Sequence, residues 1–269
     1  MHHTAKLVKT INQVDPIWAS IRAEAEEAAL RDPLLTAFLQ STVLNQQSLE
    51  EAVSHRIAER LGHADLDAGI LRQTFAEMER ALPEWSGILR VDIQAFHDRD
   101  PACHRLLDPV LYLKGFHAIQ THRLAHWLWK EGRKDFAYYL QSRSSSVFQT
   151  DIHPAARLGT GIFLDHATGL VVGETAVIED NVSILHGVTL GGTGKAGGDR
   201  HPKIRQGVLL GAGAKILGNI EVGPCSKVAA GSVVVKPVPS NVTVAGVPAR
   251  ILGESGCAEP ARAMDQLID

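Results

Sequence analysis

The sequence predicts an α + β protein: an all-α N-terminal domain over residues 1–148, a coiled parallel-β domain over 149–252, and a tail over 253–269. Three observations carry that prediction. Composition changes near residue 150, because residues 152–252 hold most of the 24 glycines together with many Val and Ile. Residues 1–148 are rich instead in Ala, Leu, Glu, Arg and Gln, so helix formers give way to strand and turn formers. After the change an aliphatic residue recurs every six positions. The six-residue phase breaks once, between Leu190 and Ile204.

The helical elements are read in order. Asp15-Pro16 starts the first, with Asp15 as cap and Pro16 at the first helical position, running through IWASIRAEAEEAAL. A second follows Pro33 through LLTAFLQSTVL. Ser48 and Glu51 make a capping box ahead of AVSHRIAERL. Ile70, Leu71, Phe75, Met78 and Leu82 lie at helical spacing in DAGILRQTFAEMERAL. Asp92 to His97 continues the bundle as far as Asp100-Pro101. Asp108-Pro109 is expected to cap one long helix through VLYLKGFHAIQTHRLAHWLWKEG, whose aromatics and histidines read as packed core.

The repeat runs Ile152, Leu158, Leu164; after a two-residue slip Val172, Ile178, Ile184, Leu190; then Ile204, Leu210, Ile216, Val222, Val228, Val234. Four positions after each aliphatic the chain carries a small or aliphatic partner, including Ala156, Ile162, Thr168, Ala176, Val182, Val188, Ala214 and Ser226. A helix does not repeat at six and a simple strand repeats at two. Six residues supply one short strand and one tight turn, so three units close a triangular coil with the aliphatics inside. Stacked coils make a parallel β-helix of hexapeptide repeats, whose end coils need covering. The helical domain is expected at one end and the segment after Val242 at the other. The interval GGTGKAGGDRHPK (191–203) cannot be prism wall and reads as a loop extruded from a corner.

Composition excludes several classes. The chain has 269 residues, 45% hydrophobic and 21% charged, which argues against wholesale disorder. A net charge of −3 gives no global basic surface for nucleic acid or anionic membrane. Cys103, Cys225 and Cys257 are few and far apart, and form no metal-type pair or disulfide framework, which fits a reducing cytoplasm. The opening MHHTAKLVKT lacks the apolar core of a signal peptide, and no run approaches the ~20 apolar residues of a membrane span.

His153, His166, His186 and His201 lie in or beside the repeat, close to Asp151, Asp165 and Asp199. His166 and His186 each follow the aliphatic by two positions, one coil apart, and are expected to stack on one face. A lone histidine on such a wall is usually structural. Neighbouring carboxylates favour a general base instead. Arg200 and His201 sit where the extruded loop re-enters the wall, a reasonable substrate clamp. GGTGK lacks the spacing of a P-loop and has no helix after it, which rejects a nucleotide hydrolase. Lys203, Lys215, Lys227, Lys236 and Arg250 are scattered along the later coils, where together they could meet the phosphates of a long cofactor.

These strings resemble the bacterial serine O-acetyltransferase family: RDPAC at 99–103, LYLKGFHAIQTHRLAHWLW at 111–129, DIHPAARLGTGIFLDHATGLVVGETAVIEDNVSILHGVTLGGTGKAGGDRHPKI at 151–204 and AGVPARI at 245–251. The resemblance implies a left-handed parallel β-helix behind a helical domain. It implies transfer of acetyl from acetyl-CoA to the hydroxyl of L-serine, the first step of cysteine synthesis. His166 would be the general base and Asp151 would orient it. Asp100 and Asp165 would meet the ammonium of serine, and Arg200 and His201 its carboxylate. Acetyl-CoA would touch backbone near Ala212, Ala230 and Gly231, with Lys236 as a phosphate contact. Transfer would be direct, with no metal and no acyl-enzyme, since no cysteine falls in the site. The family forms trimers through the β-helix and hexamers through the helical domain, and L-cysteine is an expected inhibitor. Relatives that bind cysteine synthase end in isoleucine. This chain ends MDQLID, with Ile268 penultimate, so that docking role does not carry over directly.

Other readings stay open at this level. A sugar or a diaminopimelate precursor could be the acetyl acceptor, which an acceptor panel separates. Stacked His166 and His186 also suit a β-helical zinc enzyme of the carbonic anhydrase type, which metal analysis separates. A non-catalytic scaffold would release no coenzyme A with any acceptor.

Overall fold

Asp15 opens the helical region as predicted. Its carboxylate accepts the N–H groups of Ile17 and Trp18 at 3.2 and 3.3 Å, ahead of Pro16 in α1 (Pro16–Arg31). The computed structural model describes residues 15–194 and 197–267. The expectations for the N-terminal MHHTAKLVKT, for Lys195 and for Ile268 and Asp269 lie outside the described residues.

The Pro33 segment is not one helix. It is a 3₁₀ turn (Pro33–Leu35), a single α turn, α2 (Thr36–Leu39), and a π turn (Gln40–Leu44). Ser48 Oγ accepts from Glu51 N at 3.2 Å and caps α3 (Leu49–Leu61). Glu51 reaches back to the N–H of Gln47 at 2.9 Å, so the box closes one residue early. Then α4 (Ala68–Ala81) buries Leu71, Phe75 and Met78 and leaves Ile70 exposed. The next helix, α5 (Trp85–Arg99), stops at Asp100-Pro101.

Asp108 does not cap a long helix. It lies inside the short α6 (Leu107–Leu111) and binds Arg105. The chain breaks at Tyr112-Leu113 and restarts as α7 (Lys114–Lys130). The reason is contact with the β-helix. A Cβ on Gly115 would stand 2.0 Å from the carbonyl oxygen of Leu164, so only glycine lets this helix end seat on that strand. The α8 helix (Lys134–Phe148) was not anticipated from its serine-rich sequence. Ala137, Leu140, Ser144 and Phe148 form its buried stripe, and packing on α7 overrides weak propensity.

The repeat folds as read. One face of the prism stacks β1 (Thr150–Ile152), β4 (Leu170–Val172), β7 (Thr189–Gly191), β10 (Lys215–Leu217) and β13 (Val233–Val234), all parallel. In register, Ile152, Val172, Leu190, Ile216 and Val234 form one interior column. The second face holds β2 (Arg157–Leu158), β5 (Val177–Ile178), β8 (Lys203–Ile204) and β11 (Glu221–Val222). The third holds β3 (Phe163–Leu164), β6 (Ser183–Ile184), β9 (Leu209–Leu210), β12 (Lys227–Val228) and β14 (Val242–Gly246). Antiparallel β15 (Ala249–Glu254) pairs with β14 and covers the last coil.

Helices α5, α7 and α8 cover the first coil. Asp92 clamps this junction. The carboxylate is fully buried and accepts from Gln120 and Arg123 side chains and from the N–H groups of Gly161 and Ile162, at 2.7–3.2 Å. Arg123 also donates to Gly159 O at 2.8 Å. Cutting one partner from such a buried pair costs about 3–5 kcal/mol, so this cluster fixes how the helices sit on the coil. Among the described residues no helix is long and apolar enough to cross a membrane.

Candidate active site

The site residues fall at two corners of the prism, one at each end of β4. The first corner, residues 165–169, joins the third face to the first. It absorbs the two-residue slip. His166 and Ala167 both take the left-handed conformation, with φ of 56° and 61°. Two consecutive non-glycine residues in that region are unusual, and such strain gathers at functional sites. The pair turns His166 outward, with its side chain 74% exposed. Lys114 at the start of α7 donates to Thr168 Oγ1 at 2.6 Å and braces the corner from the helical side.

The insertion corrects the repeat count. Gly187 N donates to Thr168 O, Gly213 N to His186 O and Gly231 N to Ala212 O, each at 2.8 Å. Thr168, not His166, therefore aligns with His186, Ala212 and Ala230. Thr168, counted from sequence as a corner partner of the repeat, is exposed, and buried Leu170 takes the interior place. The rings of His166 and His186 adjoin edge to face, 5.9 Å between centroids, without stacking.

Two carboxylates stand at this corner. Asp165 Oδ2 is 3.6 Å from His166 Nε2, beyond hydrogen-bond range, so the ring is not locked. Asp100, the C-cap of α5, acts on Asp165 electrostatically. Burial raises the pKa of Asp165 above the usual carboxylate value. His166 and His186 pull against that shift, and Asp100 adds to it. Two carboxylates close together at this corner give an ammonium group a natural partner. Cys103 lies in the Asp100 turn, but burial and the acids Asp108 and Asp100 push its thiol up to about 12. It is no nucleophile at neutral pH.

Asp151 is not beside His166 within one chain. It accepts from Gln141 Nε2 at 2.6 Å on β1, and the carboxylate within ion-pair distance of His166 is Asp165. His153 packs edge-on against Trp129 and Tyr138, a structural role.

The second corner, residues 173–175, joins the first face to the second and carries the extruded loop above it. His201 is only 7% exposed. Its ring lies so close to Gly173 that a Cβ there would be 2.0 Å from Cδ2 and Nε2. Thr175 N and Oγ1 approach Nδ1 at 3.2 and 2.9 Å. Burial, then Arg200, lower its pKa, so the ring is neutral. Arg200 is tied to Glu174 at 2.7 Å, and that hydrogen bond holds the Glu174 carboxyl below its usual range. Lys203 bridges Asp199, Thr175 O and His201 O at 2.6–2.9 Å. Gly173, Glu174 and Thr175 were missed from sequence. GET after a hexad aliphatic looks like any other turn.

Gly169, Gly187, Gly213 and Gly231 stack below the first corner with φ of 68–76°. Lacking side chains, they form a column of bare backbone beside His166, His186, Ala212 and Ala230. Lys236 sits past β13, at the end of the prism, beside Arg250 around a cavity of about 370 Å³. Among the described residues no group of three or more His, Cys, Asp or Glu is placed to hold a metal ion.

Comparison with known proteins shows the family. The family described as Serine acetyltransferase, N-terminal, matches residues 17–121, and Bacterial transferase hexapeptide (six repeats) matches 201–236. Serine acetyltransferase of Salmonella typhimurium is 54% identical over 254 residues, covering 94% of this chain and 93% of that protein. A crystal structure of serine acetyltransferase in complex with coenzyme A from Brucella abortus strain S19 is 80% identical. It superposes with a TM-score of 0.91, covering 93% of this chain and 100% of that chain. A serine acetyltransferase in complex with cysteine is 52% identical with a TM-score of 0.92, covering 94% and 98%.

Proposed function

The chain belongs to the serine acetyltransferase family, and we propose from its geometry that it moves acetyl from acetyl-CoA to the hydroxyl of L-serine. One observation carries the reading. The outward His166, flanked by Asp165 and Asp100, stands at the head of a column of four side-chain-free glycines against which a thioester cofactor is proposed to lie.

Each group then has a task. Asp100 and Asp165 hold the serine ammonium. His166 takes the hydroxyl proton while the oxygen attacks the thioester carbon. The tetrahedral intermediate expels coenzyme A sulfur, which recovers the proton from His166. Asp151 is the proposed orienting carboxylate for the unlocked ring. A general base supplies typically 10²–10⁴-fold. The remainder comes from holding two substrates together.

Arg200 and His201 are proposed to hold the serine carboxylate, and this requires an oligomer. The two corners are separated by the three-residue β4, roughly 10 Å of strand. A homotrimer would set the His166 corner of one subunit against the His201 corner of the next, and paired trimers would make the hexamer. Lys236, beside Arg250 near the end of the prism, is proposed to meet cofactor phosphates. The three free cysteines suit a cytoplasmic location.

L-Cysteine keeps both clamps and replaces only oxygen by sulfur, so it is proposed to compete with serine. Thiol release from acetyl-CoA tests both parts, with a panel of acceptors. Serine alone should give turnover, and cysteine should raise its KM. Equal release with sugars, or none with serine, overturns the reading.

A further inference from the structure

We infer that Thr175 is a positioning residue that fixes His201 as its Nε2–H tautomer. The inference rests on the proposed serine site but makes a separate claim about the loop.

A threonine hydroxyl has one proton and two lone pairs. Thr175 Oγ1 receives the backbone N–H of Arg200 at 3.0 Å and that of His201 at 3.1 Å. Both lone pairs are then engaged, and the hydroxyl proton is left for His201 Nδ1 at 2.9 Å. Thr175 N–H points at the same nitrogen at 3.2 Å. Two donors on Nδ1 leave no room for a proton there, so the single ring proton sits on Nε2. Nε2 is also the ring edge that meets Gly173 and Gly192.

Two consequences follow. His201 offers a donor and not a lone pair, so it cannot replace His166 as general base. Thr175 also fastens the returning loop, because its hydroxyl oxygen holds the two successive peptide N–H groups on either side of the Arg200 Cα. Lys203 adds a bond to Thr175 O at 2.9 Å. The charged groups facing the ring are Arg200, Glu174, Lys203 and the titratable His153.

Thr175→Val keeps the shape and removes the hydroxyl, whereas Thr175→Ser keeps the hydroxyl. Thr175→Val should raise the serine KM by about tenfold with the acetyl-CoA KM unchanged. Thr175→Ser should restore serine KM to within about twofold of the parent. Histidine ¹⁵N spectra of the parent protein at neutral pH should show His201 protonated at Nε2 alone. In Thr175→Val its titration should move to higher pH. Equal behaviour of the two variants, or a parent His201 protonated at Nδ1, overturns the inference. The spectra need no turnover. A parent protein without serine activity would therefore overturn the proposed function and leave this test standing. If Thr175→Val does not fold, the parent spectra and Thr175→Ser decide.

Discussion

The His166 corner and the His201 corner flank the same strand, yet they are built in opposite ways. The first is strained, exposed and braced from outside, by Lys114, by Gly115 against Leu164 and by the Asp100 turn. The second is buried and braced from within, since Thr175, Glu174 and Lys203 all belong to the β-helix or its loop. The contrast follows from what each ring must do. A base needs a free lone pair and room to turn toward a proton. A clamp needs a fixed donor. Exposure suits the one and saturation suits the other.

Removing the base should produce the largest effect. His166→Ala should lower kcat by about 10²–10⁴-fold, or about 2.7–5.5 kcal/mol of barrier, while circular dichroism stays unchanged. His186→Ala should be much milder, because its ring only adjoins that of His166. Equal losses in the two variants would mean that the corner acts as a pair, and would break the division of roles drawn here.

Acid should distinguish the two corners through the helices that brace the first. His117 and His122 on α7 are buried, and burial pushes both rings down to about 3. Unfolded, each takes a proton near pH ~6.5. The unfolded chain therefore binds more protons below that point. The stability from these two groups is full above pH ~6.5 and is lost as pH falls toward 3. At pH 5.5 the loss is about 1.4 kcal/mol for each, or about 2.8 together. Thermal melts should show Tm falling between pH 7.5 and 5.5. Hydrogen exchange should rise at residues 165–168 before it rises at 173–175. A flat Tm over that range, or exchange rising first at the second corner, would contradict the account.

What could be read from sequence, and what could not, divides along a physical line. The interior columns were legible because a coil tolerates only an aliphatic at each sixth place. Asp100, Asp165, His166, Arg200 and His201 were named from a resembling string, and their roles are those proposed above. The place of the slip was not legible, because counting from the aliphatic cannot say which corner residues are the inserted pair. Thr168 was therefore counted as a corner partner of the repeat, whereas it is exposed and Leu170 is buried in its stead. The break before α7 depends on Gly115 meeting Leu164, far away along the chain. Asp92 reads as one more helix acid until five hydrogen bonds converge on it. Asp151 and His166 share the resembling string, yet within one chain Gln141 holds the aspartate.

The smallest effect tests the tightest contact. Gly173 does not need glycine for its backbone, since it is absent from the positive-φ residues of the chain. It needs glycine because the ring of His201 occupies the space where a Cβ would go. Gly173→Ala should therefore push the ring out of place and raise the serine KM by about tenfold, near 1.4 kcal/mol. The first corner should keep its hydrogen-exchange pattern. In a His201→Ala background the ring, which supplies the three nearest atoms to that methyl, is gone. A double-mutant cycle should then give a coupling close to the whole cost of Gly173→Ala. If the two substitutions simply add, the methyl is acting through the coil, and the second corner is not held by its own packing.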